Sequence, residues 1–293
     1  MHNAKLSVHR ASFTNHNKQA MIDVRNIHFS YPGQKNLVFK SFNLRLEQNR
    51  IYGLLGKNGT GKSTLLYLIA GLLRPNKGYV TVDGDVAAER RAEMLSEIFL
   101  VPEEFDLPKC RLNEYVRLNR TFYPRFSDDI LSSCLSEFGL PENPNLQELS
   151  MGQKKKVFMS FALATCTKYL LMDEPTNGLD IPSKSQFRKV VAQSMSEDRT
   201  LIISTHQVHD VEQLLDHILI LTERNLLLDA PTTEIQRKYV FGYRTPSEMD
   251  STVIYAEPSL QGNAVIARRQ EGQPETQINL ELLFSAAVQG KLG

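Results

Sequence analysis

The chain of 293 residues is poor in the features that would send it into a membrane, an oxidising compartment or onto a polyanion. Its three cysteines, Cys110, Cys134 and Cys166, are scattered without metal-ligand spacing, a set that fits a reducing cytoplasm and small buried hydrophobes. The densest apolar run, Leu65 to Leu73, is far short of the ~18–20 residues that cross a bilayer. The first twenty residues are polar, with neither an apolar core nor a cleavage-site pattern, so they are not a signal peptide and read as a disordered lead-in. The formal net charge is only +1, which gives no global field toward nucleic acid or an anionic membrane. No internal repeat or low-complexity tract is visible. What remains, 41% hydrophobic and 23% charged, is an ordinary globular composition with room for one large domain or two modest ones.

Within that composition, short apolar runs alternate with helical patterns. Met21 to Tyr31 and Phe39 to Leu46 alternate apolar and polar residues, as two half-buried antiparallel strands would. Ile51 to Leu55 reads as a central strand, followed by a helix over Lys62 to Leu72. Short strands are expected at Tyr79 to Val82 and Ile98 to Val101. Leu107 to Glu148 lacks β-rich runs and shows helical spacing, with an N-cap at Ser127 and a stop at Gly139 and Pro141. Then come a helix (Met151 to Thr165), a buried strand (Tyr169 to Met172), a helix (Ser183 to Ser196), and strands at Leu201 to Ser204, Ile218 to Leu221 and Leu226 to Leu228. This alternation predicts an α/β fold with a mainly parallel sheet. Beyond about Tyr239 the pattern changes to two strands, Thr252 to Ala256 and Ala264 to Arg268. A short amphipathic helix follows over Asn279 to Gln289, with Leu280, Leu283, Phe284, Ala287 and Val288 on one side.

Two loops carry chemistry. Gly56-Lys57-Asn58-Gly59-Thr60-Gly61-Lys62-Ser63 matches the Walker A pattern in full, with a strand before it and a helix after it. Its glycines let backbone N–H groups curl round phosphate oxygens at the positive end of a helix. Lys62 is placed to reach the β- and γ-phosphates, Ser63 to ligate Mg²⁺, and Thr64 follows within the same turn. The second loop is Leu149-Ser150-Met151-Gly152-Gln153. Ser150 is a good N-cap and Gly152 permits close backbone approach, so this loop offers a further anion site. Between that loop and the end of the chain stands Tyr169-Leu170-Leu171-Met172-Asp173-Glu174, an apolar strand ending in two acids. Asp173 suits Mg²⁺, and Glu174, just beyond the strand, suits polarisation of an attacking water.

Together these residues resemble the ATP-binding subunits of ABC (ATP-binding cassette) proteins, over roughly Met21 to Tyr239. The resemblance implies a P-loop ATPase domain over 21–239, with an antiparallel β-subdomain and a helical insert at about 105–150, and a small α+β extension over 240–293. It implies that Tyr31 stacks on adenine and that Asn58, Gly59, Thr60 and Gly61 help cradle the phosphates. Asn177-Gly178-Leu179-Asp180 matches the loop crossing the dimer interface, and His206 matches the switch histidine at the γ-phosphate. In the family, the loop holding Ser150, Gly152 and Gln153 completes the ATP site of a second subunit, head to tail. A homodimer, or a heterodimer with a second ABC ATPase, is therefore expected, cytoplasmic and peripheral on the inner face of the cell membrane, working with transmembrane permease subunits encoded separately. ATP and Mg²⁺ are the implied ligands, and no nucleic acid is expected. The stretches Phe122 to Asp129 and Asn279 to Phe284 look like exporter-type subunits. A soluble ABC ATPase acting on ribosomes or DNA, or a regulatory ATP-dependent module, is the alternative.

One landmark departs. Where the family usually has glutamine, the chain reads Pro102-Glu103-Glu104. Glu103 can still face the metal, but its charge is unfavourable near a γ-phosphate; it either ligates Mg²⁺ when screened or serves coupling to a partner. Lys154-Lys155-Lys156, at the start of a helix whose dipole disfavours cations, reads as a solvated face, or else supplies one lysine to phosphate or to the opposing subunit. His209 has no motif support and reads as a surface helix residue.

Overall fold

The computed structural model describes residues 21–34, 36–223 and 225–292. The lead-in expected over 1–20 lies outside these residues.

Three sheets form. The central one has six strands in the order Leu226–Pro231, His217–Leu221, Ile51–Leu55, Thr200–Thr205, Tyr169–Asp173, Ile98–Val101. All neighbours are parallel except Leu226–Pro231, which returns antiparallel along His217–Leu221. Ile51–Leu55, Tyr169–Asp173 and Thr200–Thr205 are buried at every residue. Burial on both faces is why they read as continuous apolar runs rather than alternating ones.

The second sheet, of four strands, pairs Met21–Phe29 with Phe39–Glu47 on one side, as the alternation predicts, and with Lys77–Val82 on the other, all antiparallel. Its inward residues, among them Ile22, Val24, Leu44 and Leu46, pack with Leu65, Leu66 and Ile69 of the helix Lys62–Ile69. That helix ends three residues sooner than its apolar pattern implies.

The segment at 107–148 is helical as expected, with helices at Leu112–Asn119 and Asp128–Glu137. The Ser127 hydroxyl accepts from the N–H of Ile130, and Gly139 takes the left-handed φ of 66° that a helix stop favours. Cys134 is buried, whereas Cys110 and Cys166 are only half-buried, so the expectation of three buried cysteines holds fully for one.

The C-terminal segment adds a strand that the sequence pattern did not reveal. Tyr239–Arg244 pairs with Gly262–Arg268, which also pairs with Val253–Ser259. The helix Leu280–Val288 buries Leu280, Leu282, Leu283, Ala286 and Ala287, while Val288 is exposed. Its buried face is turned from the expected one because it wedges between this sheet and the 3₁₀ turn Val208–Asp210, and its side chains join the same apolar cluster as Val211 and Ile220.

Candidate active site

Four neighbouring parallel strands end on the same side, and each delivers one piece of the site. In register, Leu55 lies beside Thr205, Ser204 beside Asp173, and Met172 beside Val101. The phosphate loop after Leu55, His206 after Thr205, Glu174 after Asp173 and Glu103 after Pro102 therefore stand in a row. Ligands bind at the carboxyl edge of open α/β sheets for this reason.

The phosphate loop is shaped by its glycines. Gly61 has φ 100°, and a Cβ there would come within 2.8 Å of Val38 and 2.9 Å of Phe39. At Gly56 a Cβ would meet the Thr60 hydroxyl at 2.6 Å and the Leu221 carbonyl at 2.7 Å. The Thr60 hydroxyl donates to the Lys57 carbonyl at 2.9 Å and closes the turn. The helix Lys62–Ile69 has no side-chain cap and no acid in its first turn, so its first N–H groups face the loop's interior. Lys62 is buried, and its ammonium donates to the Gly56 carbonyl at 2.8 Å. Tyr31 is held from two sides: its ring meets Phe29 edge-on at 5.0 Å, and its hydroxyl shares a 2.9 Å hydrogen bond with Thr64.

Glu174 is the hub of the charges. Its Oε1 lies 3.5 Å from the Lys62 ammonium and 2.9 Å from Nδ1 of His206, and the His206 backbone N–H donates to its Oε2 at 3.3 Å. Its backbone takes φ 46°, a left-handed conformation rare for a residue with a side chain. Asp173 is buried and accepts from the Ser204 hydroxyl. Burial pushes its carboxyl up, the nearby Glu174 and Glu103 add to this, and hydrogen bonds from Ser204 and Ser63 oppose it.

That donor set suits a hard cation. Among the described residues no three His, Cys, Asp or Glu side chains form a protein-only metal cage. Asp173 with the Ser63 hydroxyl instead offers the few oxygen ligands that Mg²⁺ takes when phosphates and water supply the rest. Glu103 is exposed, and its Oε1 accepts from the Asn177 amide at 2.8 Å.

The second anion loop sits elsewhere. Ser150 and Gln153 form a reciprocal capping box: the Gln153 N–H donates to the Ser150 hydroxyl at 3.3 Å, and the Ser150 N–H to the Gln153 side chain at 3.0 Å. The Gln153 side chain thus serves its own helix, while the Ser150 hydroxyl hydrogen can still be donated outward. Met151 and Gly152 border a cavity of about 590 Å³ with Glu103, Lys155 and Gly178. Lys57, Asn58 and Thr60 border a different one, of about 400 Å³, with Phe284 and Val288. Asp180 caps the helix Ile181–Ser194 through the N–H of Ser183 at 3.0 Å.

Within the lysine run, Lys155 departs from the reading of a solvated face. Lys155 is buried and donates to two backbone carbonyls, of Glu174 at 2.9 Å and Asn177 at 2.8 Å. Burial lowers its pKa, and Glu103, Glu174 and Asp173 oppose that fall. Lys156 lies 5.8 Å from the centroid of the Phe138 ring. Lys155 shares a helix face with the buried Met159, Ala162 and Leu163, four, seven and eight residues further on, and that spacing was the available signal, masked by the charge of its neighbours. His209 is exposed in the Val208–Asp210 turn, 3.1 Å from Glu281.

The family model described as ABC transporter matches residues 39–177. The chain is 28% identical over 222 residues to the ABC transporter ATP-binding protein YtrB of Bacillus subtilis, covering 75% of each chain. It is 31% identical over 189 residues to the ABC transporter ATP-binding protein NatA of the same organism, covering 62% of this chain and 77% of that one. Among solved structures, an ATP-binding subunit of an ABC transporter superposes with a TM-score of 0.65 at 24% identity, covering 74% of this chain and 92% of the other, a likeness of fold.

Proposed function

The chain belongs to the ABC transporter family of ATP-binding proteins, and from that premise we propose how it binds and hydrolyses ATP and what it drives. It is an ATPase whose hydrolysis powers transport. The observation that carries the residue assignments is the convergence of Lys62 and His206 on one oxygen of Glu174, at 3.5 and 2.9 Å, over the row of strand ends.

Tyr31 lies against the adenine, and the backbone N–H groups of Gly59, Gly61 and Lys62 hold the phosphates. The Lys62 ammonium moves its interaction from Glu174 to the β- and γ-phosphates. The Glu174 carboxylate then takes the proton of the attacking water, and His206 orients the γ-phosphate from the next strand. Ser63 and Asp173 would hold Mg²⁺, which supplies charge neutralisation at the transferred phosphoryl group, with Glu103 at the margin of that site.

The loop of Ser150, Gly152 and Gln153 serves a second copy's nucleotide. Three observations support this: the two anion loops border separate cavities, Met151 and Ile181 are exposed large apolar residues beside the Ser150 and Asp180 loops, and a Cβ on Gly152 would approach nothing in this chain closer than 4.0 Å. Two copies then close head to tail on two ATP molecules, and hydrolysis parts them. Among the described residues no helix is long and apolar enough to cross a membrane. In this reading the pathway for cargo belongs to separate membrane subunits, with this chain at their cytoplasmic face. Cargo and direction are set by those subunits. Affinity purification from solubilised membranes tests the reading: a polytopic membrane protein is expected to co-purify, and recovery with ribosomal particles alone would overturn it.

A further inference from the structure

We propose that Lys155 is a positioning residue for ATP hydrolysis, fixing the main chain that carries Glu174 and thereby the place of its carboxylate. This rests on the assignment of Glu174 above.

A residue with a side chain does not hold φ 46° without support. At Glu174 the support comes from both ends. Its N–H donates to the Ser204 carbonyl at 3.0 Å, which anchors it to the neighbouring strand. Its carbonyl accepts from the Asn177 N–H at 3.1 Å and from the Lys155 ammonium at 2.9 Å. The same ammonium bonds the Asn177 carbonyl at 2.8 Å, so one cation clamps both ends of the turn from Glu174 to Asn177. The clamp also reaches Glu103, because the Asn177 side chain donates to it at 2.8 Å.

The cost of this arrangement argues for its use. Lys155 is 5% exposed, and its hydrogen bonds go to carbonyls rather than to a carboxylate partner. A methionine would fill the same space without desolvating a charge, and replacing buried charge by apolar side chains is often neutral or stabilising. What methionine cannot do is donate to two carbonyls at once. Lys155 also stands on the helix that begins at Ser150, so the anion loop at that helix start and the base at Glu174 are joined by a single side chain.

Steady-state ATP hydrolysis by Lys155→Met, Lys155→Gln and Glu174→Gln tests the inference, with ATP binding measured separately by titration. Lys155→Met is expected to lose roughly ten- to hundred-fold in kcat, the penalty of a base displaced by about 1 Å, while KM and ATP affinity stay within about twofold. Lys155→Gln keeps amide donors one bond short of the carbonyls and is expected to lose several-fold in kcat, again at unchanged KM. Native turnover by Lys155→Met, or a fall in affinity that matches the fall in kcat, overturns the inference. If Lys155→Met does not fold, native kcat in Lys155→Gln overturns it. If Glu174→Gln itself hydrolyses ATP normally, the assignment of Glu174 is what failed, whatever the Lys155 variants do.

Discussion

The Lys62 ammonium lies 3.5 Å from Oε1 of Glu174, and both side chains are only 6% exposed. Two groups with different tasks in the proposed hydrolysis thus satisfy each other's charge. A γ-phosphate is a stronger competitor for Lys62 than one carboxylate, since it offers more charge and more acceptor oxygens. On the proposed mechanism, binding of ATP therefore releases Glu174 toward water at the moment that water is needed.

Glu174→Gln separates these tasks. Glutamine retains the shape and an acceptor for His206 but cannot take a proton. ATP affinity should be retained and hydrolysis should fall by roughly 10²–10⁴-fold, the usual contribution of a positioned base. Size-exclusion chromatography with ATP and Mg²⁺ should show a persistent dimer. A variant that stays monomeric and hydrolyses at the native rate would show that Glu174 is not the base.

Asp173→Asn should stabilise the isolated chain while abolishing Mg²⁺-dependent turnover. Burial raises the folded-state pKa of this carboxyl above its unfolded value. The charge therefore costs stability at neutral pH, and the cost disappears as pH falls through the folded pKa toward the unfolded one. Asparagine removes it at every pH. Thermal melts without nucleotide should show a higher Tm at pH 7, by roughly 2–4 °C for each kcal/mol recovered, and a difference that shrinks as the buffer is acidified.

Glu103→Gln should keep ATP binding, because the glutamine carbonyl can still accept from Asn177. It removes one of the negative charges that push the Asp173 carboxyl up. Asp173 then stays ionised to lower pH, so the acid limb of the ATPase pH profile should move downward. Complete loss of ATP binding would give Glu103 a larger part than margin of the metal site.

Gly152→Ala tests where the loop of Ser150, Gly152 and Gln153 acts. Within the chain the nearest atom to a new Cβ would be the Gly178 carbonyl at 4.0 Å, so the monomer has room. Alanine in the helix is favoured over glycine by about 1 kcal/mol, and the Tm should be unchanged or slightly raised. ATP binding by one copy should persist, while ATP-driven dimerisation and turnover fall. Unimpaired turnover would remove Gly152 from the shared site.

Much of the site was legible because its residues lie in contiguous runs with local geometric reasons. Gly56 to Ser63 reads as a phosphate loop since its glycines, lysine and serine act through one turn of backbone. Tyr169 to Glu174 reads as a strand ending in acids since burial on both faces leaves an unbroken apolar run. Tyr239–Arg244 did not read as a strand because its edge residues Gly242, Tyr243 and Arg244 are exposed or half-buried, which blurs the alternation. Lys155 did not read as buried because composition places lysine in solvent, and only the two carbonyls that receive its ammonium reverse that preference.

The sequence by itself determined the family, the order of the strands and helices around the phosphate loop, and the residue types proposed to meet ATP, since each follows from local pattern. Only the tertiary structure decided that Glu174 takes a left-handed backbone, that Lys62 and His206 share one of its oxygens, and that Lys155 holds the turn behind it. These relations join residues 19 to 112 positions apart along the chain. Strand register and side-chain burial set them, and neither is written in any one segment.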